Sequence, residues 1–176
     1  MDKEKGCGMF TIKESNLNEG YFEGTNLKGL NLPGVELMEV NLEGTNLKGA
    51  NLKGANLKGA NLEGANLEGA NLEGADLSWA ILRGANLEAT NLIKANLKKA
   101  NLKKANLKEA DLFMANLEGA NLKETHFLSF NQFSKVKTLY DAKLDEEFLT
   151  LLKGKYPCLF KSLEQQFLEH QNNLLL

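Results

Sequence analysis

The sequence predicts an all-β solenoid closed by a short α-helical C-terminal cap. Three observations predict it. A five-residue period places Leu at every fifth position from about Phe10 to Ser129, a small residue stands two places before most of these leucines, and the final stretch exchanges this period for a helical one. The pentad centres run Ile12, Leu17, Phe22, Leu27 and onward to Leu122 and Phe127, 24 pentads in all. The chain divides into a lead-in (1–9), a repeat region (10–129) and a C-terminal capping segment with two short helices (130–176).

The period excludes both regular alternatives. An α-helix turns every 3.6 residues and would scatter a five-residue Leu period around its cylinder. A flat strand would send alternate leucines to opposite faces, because five is odd and the pleat has a period of two. The backbone must therefore turn within every pentad, with Leu and the residue two before it pointing inward and the other three outward.

The composition of each position agrees. Ala50, Ala55, Ala60, Ala65 and Ala70 fill the second inward position, small enough to lie beside Leu in a narrow interior, so bulk there is resisted. The 23 positions just before Leu, from Asn16 to His126, hold 17 Asn and two Asp. Asn is poor in strands but bonds local backbone in turns, which gives it a structural role. Lys, Glu and Gly take the outward positions, as in Lys58-Gly59 and Glu63-Gly64, with Gly suited to a tight corner.

This A-(N/D)-L-x-x pattern resembles the pentapeptide-repeat family over about two thirds of the chain. The resemblance implies a right-handed quadrilateral parallel β-helix with four pentads per coil, so about six coils of 20 residues. Residues 20 apart then stack in vertical ladders. Phe10, Leu30, Val35 and Val40 replace Ala at the second inward position, which predicts wider or irregular N-terminal coils that close off the core.

After Phe127 the register fails, although Phe130, Phe133 and Val136 can still cover the last coil. Asp145-Glu146-Glu147 starts a helix with Phe148, Leu149, Leu151 and Leu152 on its apolar face, and Lys153-Gly154 ends it. Pro157 opens a second, in which Leu159, Phe160, Leu163, Phe167 and Leu168 recur at helical spacing. This pair caps an interior that would otherwise expose apolar side chains and unpaired backbone. The same helices offer a surface for dimerisation.

With 176 residues and 43% hydrophobic content the chain forms one domain. Its 21 basic and 23 acidic residues nearly balance, which removes any global electrostatic case for binding nucleic acid or an anionic membrane. Locally the charge is segregated. Residues 61–90 hold one basic and five acidic groups, whereas 91–110 hold six lysines (Lys94, Lys98, Lys99, Lys103, Lys104, Lys108) and one glutamate. These lysines are expected to encircle all four faces, with Glu88 stacked beneath Lys108. Met1 to Phe10 contains no apolar run of the length of a secretory signal or a membrane span, so the expected location is cytoplasmic. Cys7 and Cys158, each alone at one end of the chain, read as two buried or unreactive thiols.

The residues for catalysis do not assemble. His126 stands at an Asn position and His170 in the last helix, neither with an acid or thiol at a recognisable spacing. Glu63, Glu68 and Glu73 are five apart and point from successive faces, so they cannot converge on one metal. The vertical stack Glu23, Glu43, Glu63 offers few ligands, and no metal or cofactor is expected. The glycines sit singly at corners rather than in a phosphate-binding loop. No enzyme activity and no small-molecule substrate is expected.

The sequence instead offers a contact surface. Trp79 and Ile81 flank one corner, while Ile93 and Phe113 stack on one face with Met114 beside them, an apolar strip on an otherwise charged surface. The expected function is a non-enzymatic protein-interaction or scaffold module with an unidentified protein partner or a second copy of itself, and with neither nucleic acid nor membrane as partner. The resemblance implies an alternative, a DNA-mimic-like modulator of a type II topoisomerase (gyrase). A net charge of −2 and the lysine ring weigh against it.

Overall fold

The computed structural model describes residues 22–162 together with Glu164, Gln165 and Leu168. Each pentad forms one side of a four-sided coil. The Leu47 carbonyl accepts from the Ala50 N–H at 3.0 Å, closing a turn over Lys48 and Gly49. Gly49 has φ +66°, the positive φ that a type II turn requires at its third residue. Two turn residues in every five leave room for a single paired position, so the sides are isolated parallel bridges rather than strands. From Asn26↔Asn46 to Asn106↔His126 every bridge joins residues 20 apart.

The coil therefore has four faces, centred in turn on Phe22, Leu27, Leu32 and Leu37 and recurring every 20 residues. Backbone bonds run between coils: the Leu47 N–H donates up to the Asn66 carbonyl (2.7 Å), and the Asn66 N–H donates down to Thr45 (2.9 Å). The interior is a column of leucines and alanines, from Leu42 to Leu122, sealed from solvent. Each fully buried Leu contributes roughly 1.5–3 kcal/mol. Where Thr replaces Ala at the second inward position its hydroxyl finds a carbonyl. The buried Thr90 Oγ1 donates to the Leu67 carbonyl at 2.8 Å.

Asn is structural, as its turn chemistry predicts. The Asn46 Oδ1 accepts from the Lys48 N–H (3.2 Å), and its amide donates down to the Asn26 Oδ1 (3.1 Å). Similar links join Asn51 to Asn31, Asn106 to Asn86 and Asn116 to Asn96. At the N-terminal side Val40 is buried, while Leu30 and Val35 are only half-buried. Phe10, Ile12 and Leu17 lie outside the described residues.

The C-terminal end departs from expectation in four places. Phe127 is not an inward centre but is 66% exposed, with φ +60°. The solenoid does not stop there. Helix α1 (Phe130–Phe133) inserts two residues, after which pairing resumes as Asn116↔Thr138 and Asn121↔Lys143, now 22 apart. Leu139 and Leu144 are buried as the centres of these two added sides.

Where α1 replaces a side, one side chain substitutes for the missing backbone. By the pattern of the lower coils the Ala110 carbonyl would accept from the N–H of residue 131. The Gln132 side-chain amide donates to it instead (3.1 Å) and to Leu107 (2.7 Å), while its Oε1 accepts from the Ser129 N–H (3.0 Å).

Helix α2 (Glu146–Lys155) starts after Asp145 as expected and runs past Gly154. It buries Leu152 and sets Phe148 against Phe130 and Phe133, with ring centroids 5.2 and 5.7 Å apart. Pro157 opens a 3-10 turn (Pro157–Phe160) rather than a second α-helix, and the chain is extended again at Lys161. The Leu159 carbonyl accepts from the Leu139 N–H (2.7 Å), which ties this turn to the last coil. Ser162 and Gln165 exchange hydrogen bonds as a helix start, so helical residues resume there, and Leu168 is exposed. Leu163, Phe167, His170 and Leu174 to Leu176 lie outside the described residues.

Candidate interaction surface

Outward side chains form vertical ladders, so their chemistry is read column by column. The ion pairs follow the 20-residue stack: Lys48–Glu68 (2.8 Å), Lys53–Glu73 (3.0 Å), Arg83–Glu63 (2.9 Å), Lys98–Glu118 (2.9 Å) and Lys108–Glu88 (2.7 Å). The hydrogen bond from Lys108 holds the Glu88 carboxyl below its usual range, and the same bond raises the Lys108 ammonium. Lys103 lowers Glu124 in the same way, at 2.9 Å. Glu63, Glu68 and Glu73 each pair with a cation on a different face.

The lysine ring is incomplete. Lys98, Lys103 and Lys108 occupy the outward positions of the fourth, first and second faces, but the third face carries Ile93 at that place. Phe113 sits directly above it, with the Lys94 N–H donating to the Phe113 carbonyl at 2.8 Å. Phe113 is 46% exposed and Met114, at the adjoining corner, 44%; Ile93 is half-buried. This part of the apolar strip is as expected from the sequence.

Trp79 and Ile81 do not join it. They flank the corner between the fourth and first faces, lower in the stack, and both are exposed. The Lys99 ammonium, one coil above, lies 4.3 Å from the Trp79 ring centroid, a cation–π contact that covers part of that indole. The five candidate residues thus form two sites.

Trp79 and Met114 share a further property. Each occupies the left-handed corner position, at φ +63° and +58°, where Gly is the default of the repeat. A side chain there costs roughly 1–2 kcal/mol. Ala89, Lys94, Lys99, Lys104, Glu109 and Glu124 hold the same left-handed corner position, so what sets Trp79 and Met114 apart is their exposed apolar bulk.

Two shallow grooves border the third face. One, of about 450 Å³, is lined by Lys94, Lys98, Met114 and Lys137 with Asn96 and Asn116. The other, of about 490 Å³, lies beneath α1 and includes Glu109, Asp111, Phe127 and Lys135. Sequence reasoning missed Phe127 as a surface residue because it kept the Leu spacing. The signal was the Ser129-Phe130-Asn131-Gln132 helix start immediately after it.

Among the described residues no group of three or more His, Cys, Asp or Glu side chains could hold a metal ion. No described helix is long and apolar enough to cross a membrane. His126 is exposed beside Phe127, and Cys158 is exposed on the 3-10 turn rather than buried. Cys7 lies outside the described residues.

Comparison with known families decides the kinship. A family model for pentapeptide repeats matches in overlapping copies from residues 12–44 to 90–127. The chain belongs to the pentapeptide-repeat family. Its members fold as right-handed quadrilateral β-helices and are generally non-enzymatic structural or interaction modules.

Solved structures similar to this pentapeptide-repeat chain include Rfr23 from the cyanobacterium Cyanothece 51142, at 33% identity over 70% of this chain and 86% of that one, with a TM-score of 0.49. A second is alr5209 from Nostoc PCC 7120, at 35% identity over 65% and 84%, with a TM-score of 0.41. QnrB1, a plasmid-mediated fluoroquinolone resistance protein, aligns at 15% identity over 76% and 91%, with a TM-score of 0.42. The search of curated proteins finds no match.

Proposed function

We propose that this chain is a non-enzymatic protein-interaction module that contacts another protein chain through the C-terminal part of its third face. The observation that carries the reading is Met114, an exposed apolar residue at a left-handed corner, standing beside the exposed Phe113 that stacks above Ile93 on one face. Backbone bonds between coils, with the Ile93 and Phe113 N–H groups donating to Asn91 (3.0 Å) and Asp111 (2.9 Å), hold this part of the face, so contact requires little ordering of the module itself.

Crosslinking capture from the native cell, comparing the unaltered chain with a Phe113→Lys, Met114→Lys variant, tests this reading. A specific protein, or a second copy, recovered only by the unaltered chain supports it. Equal recovery by both, or no specific recovery by either, overturns it.

The alternative of a DNA-mimic-like gyrase modulator draws less support. Imitating a duplex needs a dense unpaired negative field. Here Glu63, Glu68, Glu73 and Glu88 all sit against basic side chains. A gyrase supercoiling assay in excess protein is expected to show no effect.

A further inference from the structure

Two departures from the repeat meet at the corner between the fourth and first faces. Trp79 stands at the left-handed corner position, and Ile81 is the one apolar residue at the Asn positions from Asn26 to His126. Ala80 between them points inward and is fully buried, so its two neighbours project outward, at 55% and 39% exposure. Gly59 lies beneath Trp79 and adds no side chain there.

The coil above sets two donors over this apolar pair. Lys99 stands over Trp79, its ammonium 4.3 Å from the ring centroid, and among the described residues it makes no ion pair. Asn101 stands over Ile81. Its oxygen accepts from the Lys103 N–H (3.2 Å) and from the Asn121 amide (3.4 Å), but its own amide has no acceptor below, because Ile81 holds the place of an Asn oxygen. The Asn61 amide, by contrast, is engaged downward with Asn41 (3.0 Å) and Glu43 (3.2 Å).

The acids around this corner are paired or distant. Glu63 holds Arg83, Glu118 holds Lys98, and Glu124 holds Lys103 and Lys104. In the corner column itself Glu39 stands two coils below Trp79 and Asp141 two coils above Lys99, with Gly59 and Gly119 between. The corner is thus an apolar ledge beneath a cation and an amide donor, and it lacks an anionic acceptor.

We propose that this corner seats an acidic segment of a partner protein, with one apolar side chain lying on Trp79 and Ile81 and an adjoining carboxylate accepting from Lys99 and Asn101. The proposal rests on the interaction-module reading but adds a second contact away from the third face. A neutral oxygen satisfies Asn101 alone, whereas a carboxylate also meets the Lys99 charge in a stronger, charge-assisted bond. Trp is among the residues that carry most of the energy at protein contacts. Ile81 gives up a ladder hydrogen bond and leaves its side chain in water, a local rule broken without a structural return, as at functional positions. A nucleic acid would need an unpaired basic track beside the ring, and Lys98, Lys103 and Lys104 are already paired.

Trp79 is the single tryptophan of the chain, so its fluorescence reports the site directly. The probe is the peptide acetyl-Glu-Leu-Glu-Leu-Glu-amide, with acetyl-Gln-Leu-Gln-Leu-Gln-amide as the uncharged control. The acidic peptide, titrated to millimolar concentration, is expected to give a saturable emission change and to bind at least about tenfold more tightly than the control. Lys99→Gln is expected to weaken it by a similar factor. Ile81→Asn removes half of the ledge and takes up the Asn101 amide, so the response is expected to vanish in a chain that circular dichroism shows to be folded. The Phe113→Lys, Met114→Lys variant is expected to bind the peptide as the unaltered chain does.

The absence of a saturable change overturns the proposal. So does an equal response to both peptides, undiminished binding in Lys99→Gln, or tighter binding of oligodeoxythymidylate than of the acidic peptide. Loss of binding in the Phe113→Lys, Met114→Lys variant also overturns it, by moving the acidic segment to the third face. Capture of a partner that depends on Phe113 and Met114, with no peptide response at Trp79, removes this second contact alone and leaves the interaction reading standing.

Discussion

The Lys108 ammonium lies 2.7 Å from the Glu88 carboxylate one coil below it, and the two groups shift each other's titration. The hydrogen bond from Lys108 is the main cause of the lowered Glu88 value, and the Glu88 bond is the main cause of the raised Lys108 value. A depressed carboxylate contributes stability that is present above its ordinary value of 4.5 and is lost as pH falls through the lower folded value. A raised ammonium contributes stability that is present below 10.5 and is lost as pH rises through the higher folded value. The pair is therefore expected to hold fully between those two limits. Side-chain NMR should show Glu88 titrating lower in the unaltered chain than in Lys108→Gln, and equal titration in both would contradict the pairing.

Ile81 interrupts the Asn ladder of the first face, which otherwise runs through Asn41, Asn61, Asn101 and Asn121. Below the gap the Asn61 amide donates to Asn41 at 3.0 Å, and above it Asn121 donates to Asn101 at 3.4 Å. Ile81→Asn supplies the missing acceptor for Asn101 and an internal one for the Arg83 N–H. The variant is expected to be more stable by about 0.5–1.5 kcal/mol in urea denaturation. Unchanged or reduced stability would show that the apolar contacts of Ile81 outweigh the ladder.

The left-handed corners make a paired prediction. Ala89 stands at φ +53° on the exposed surface, so its side chain adds strain without packing. Ala89→Gly is expected to stabilise the chain by about 0.5–1 kcal/mol, the relief of αL strain less the greater freedom of Gly in the unfolded chain. Gly119→Ala is the converse, because at φ +65° an added Cβ would stand 3.1 Å from the Lys99 Cγ. Its midpoint in the same denaturation should fall.

The regular part of the fold was legible because one constraint repeats. Leu cannot reach the core every fifth residue unless the backbone turns in each pentad, and the Ala and Asn positions then follow from interior width and from turn bonding. The stacked apolar pair Ile93 and Phe113, and the Glu88–Lys108 contact, followed from the same period. What escaped reading was the point where the period breaks. Phe127 kept the Leu spacing, but α1 begins three residues later and pulls the chain off its side, leaving that ring outside. The resumption at Leu139 and Leu144 was hidden because a two-residue insertion shifts the register and places Lys137 where Ala would stand. The separation of Trp79 from Phe113 was within reach, because 34 residues is not a whole number of the 20-residue coils that the family resemblance implies.

Gln132 carries the last prediction. At the side where α1 interrupts the solenoid, the carbonyls of Leu107 and Ala110 face a coil that no longer supplies a backbone donor for Ala110. The Gln132 amide reaches both, at 2.7 and 3.1 Å, and its carbonyl oxygen holds the Ser129 N–H at the start of α1. One side chain thus closes the edge of the sheet and anchors the helix that covers it. Gln132→Ala removes these bonds together and leaves the Ala110 carbonyl without its substitute donor. The cost is expected to be about 1–3 kcal/mol. Gln132→Glu is the sharper control, since it keeps the acceptor for Ser129 but sets a carboxylate against two carbonyls. If the amide is the closing group, both variants lower the unfolding midpoint, and hydrogen exchange accelerates first at the amides of α1. An unaffected midpoint in Gln132→Glu would show that α1 is held by Phe133 and Phe148 packing alone.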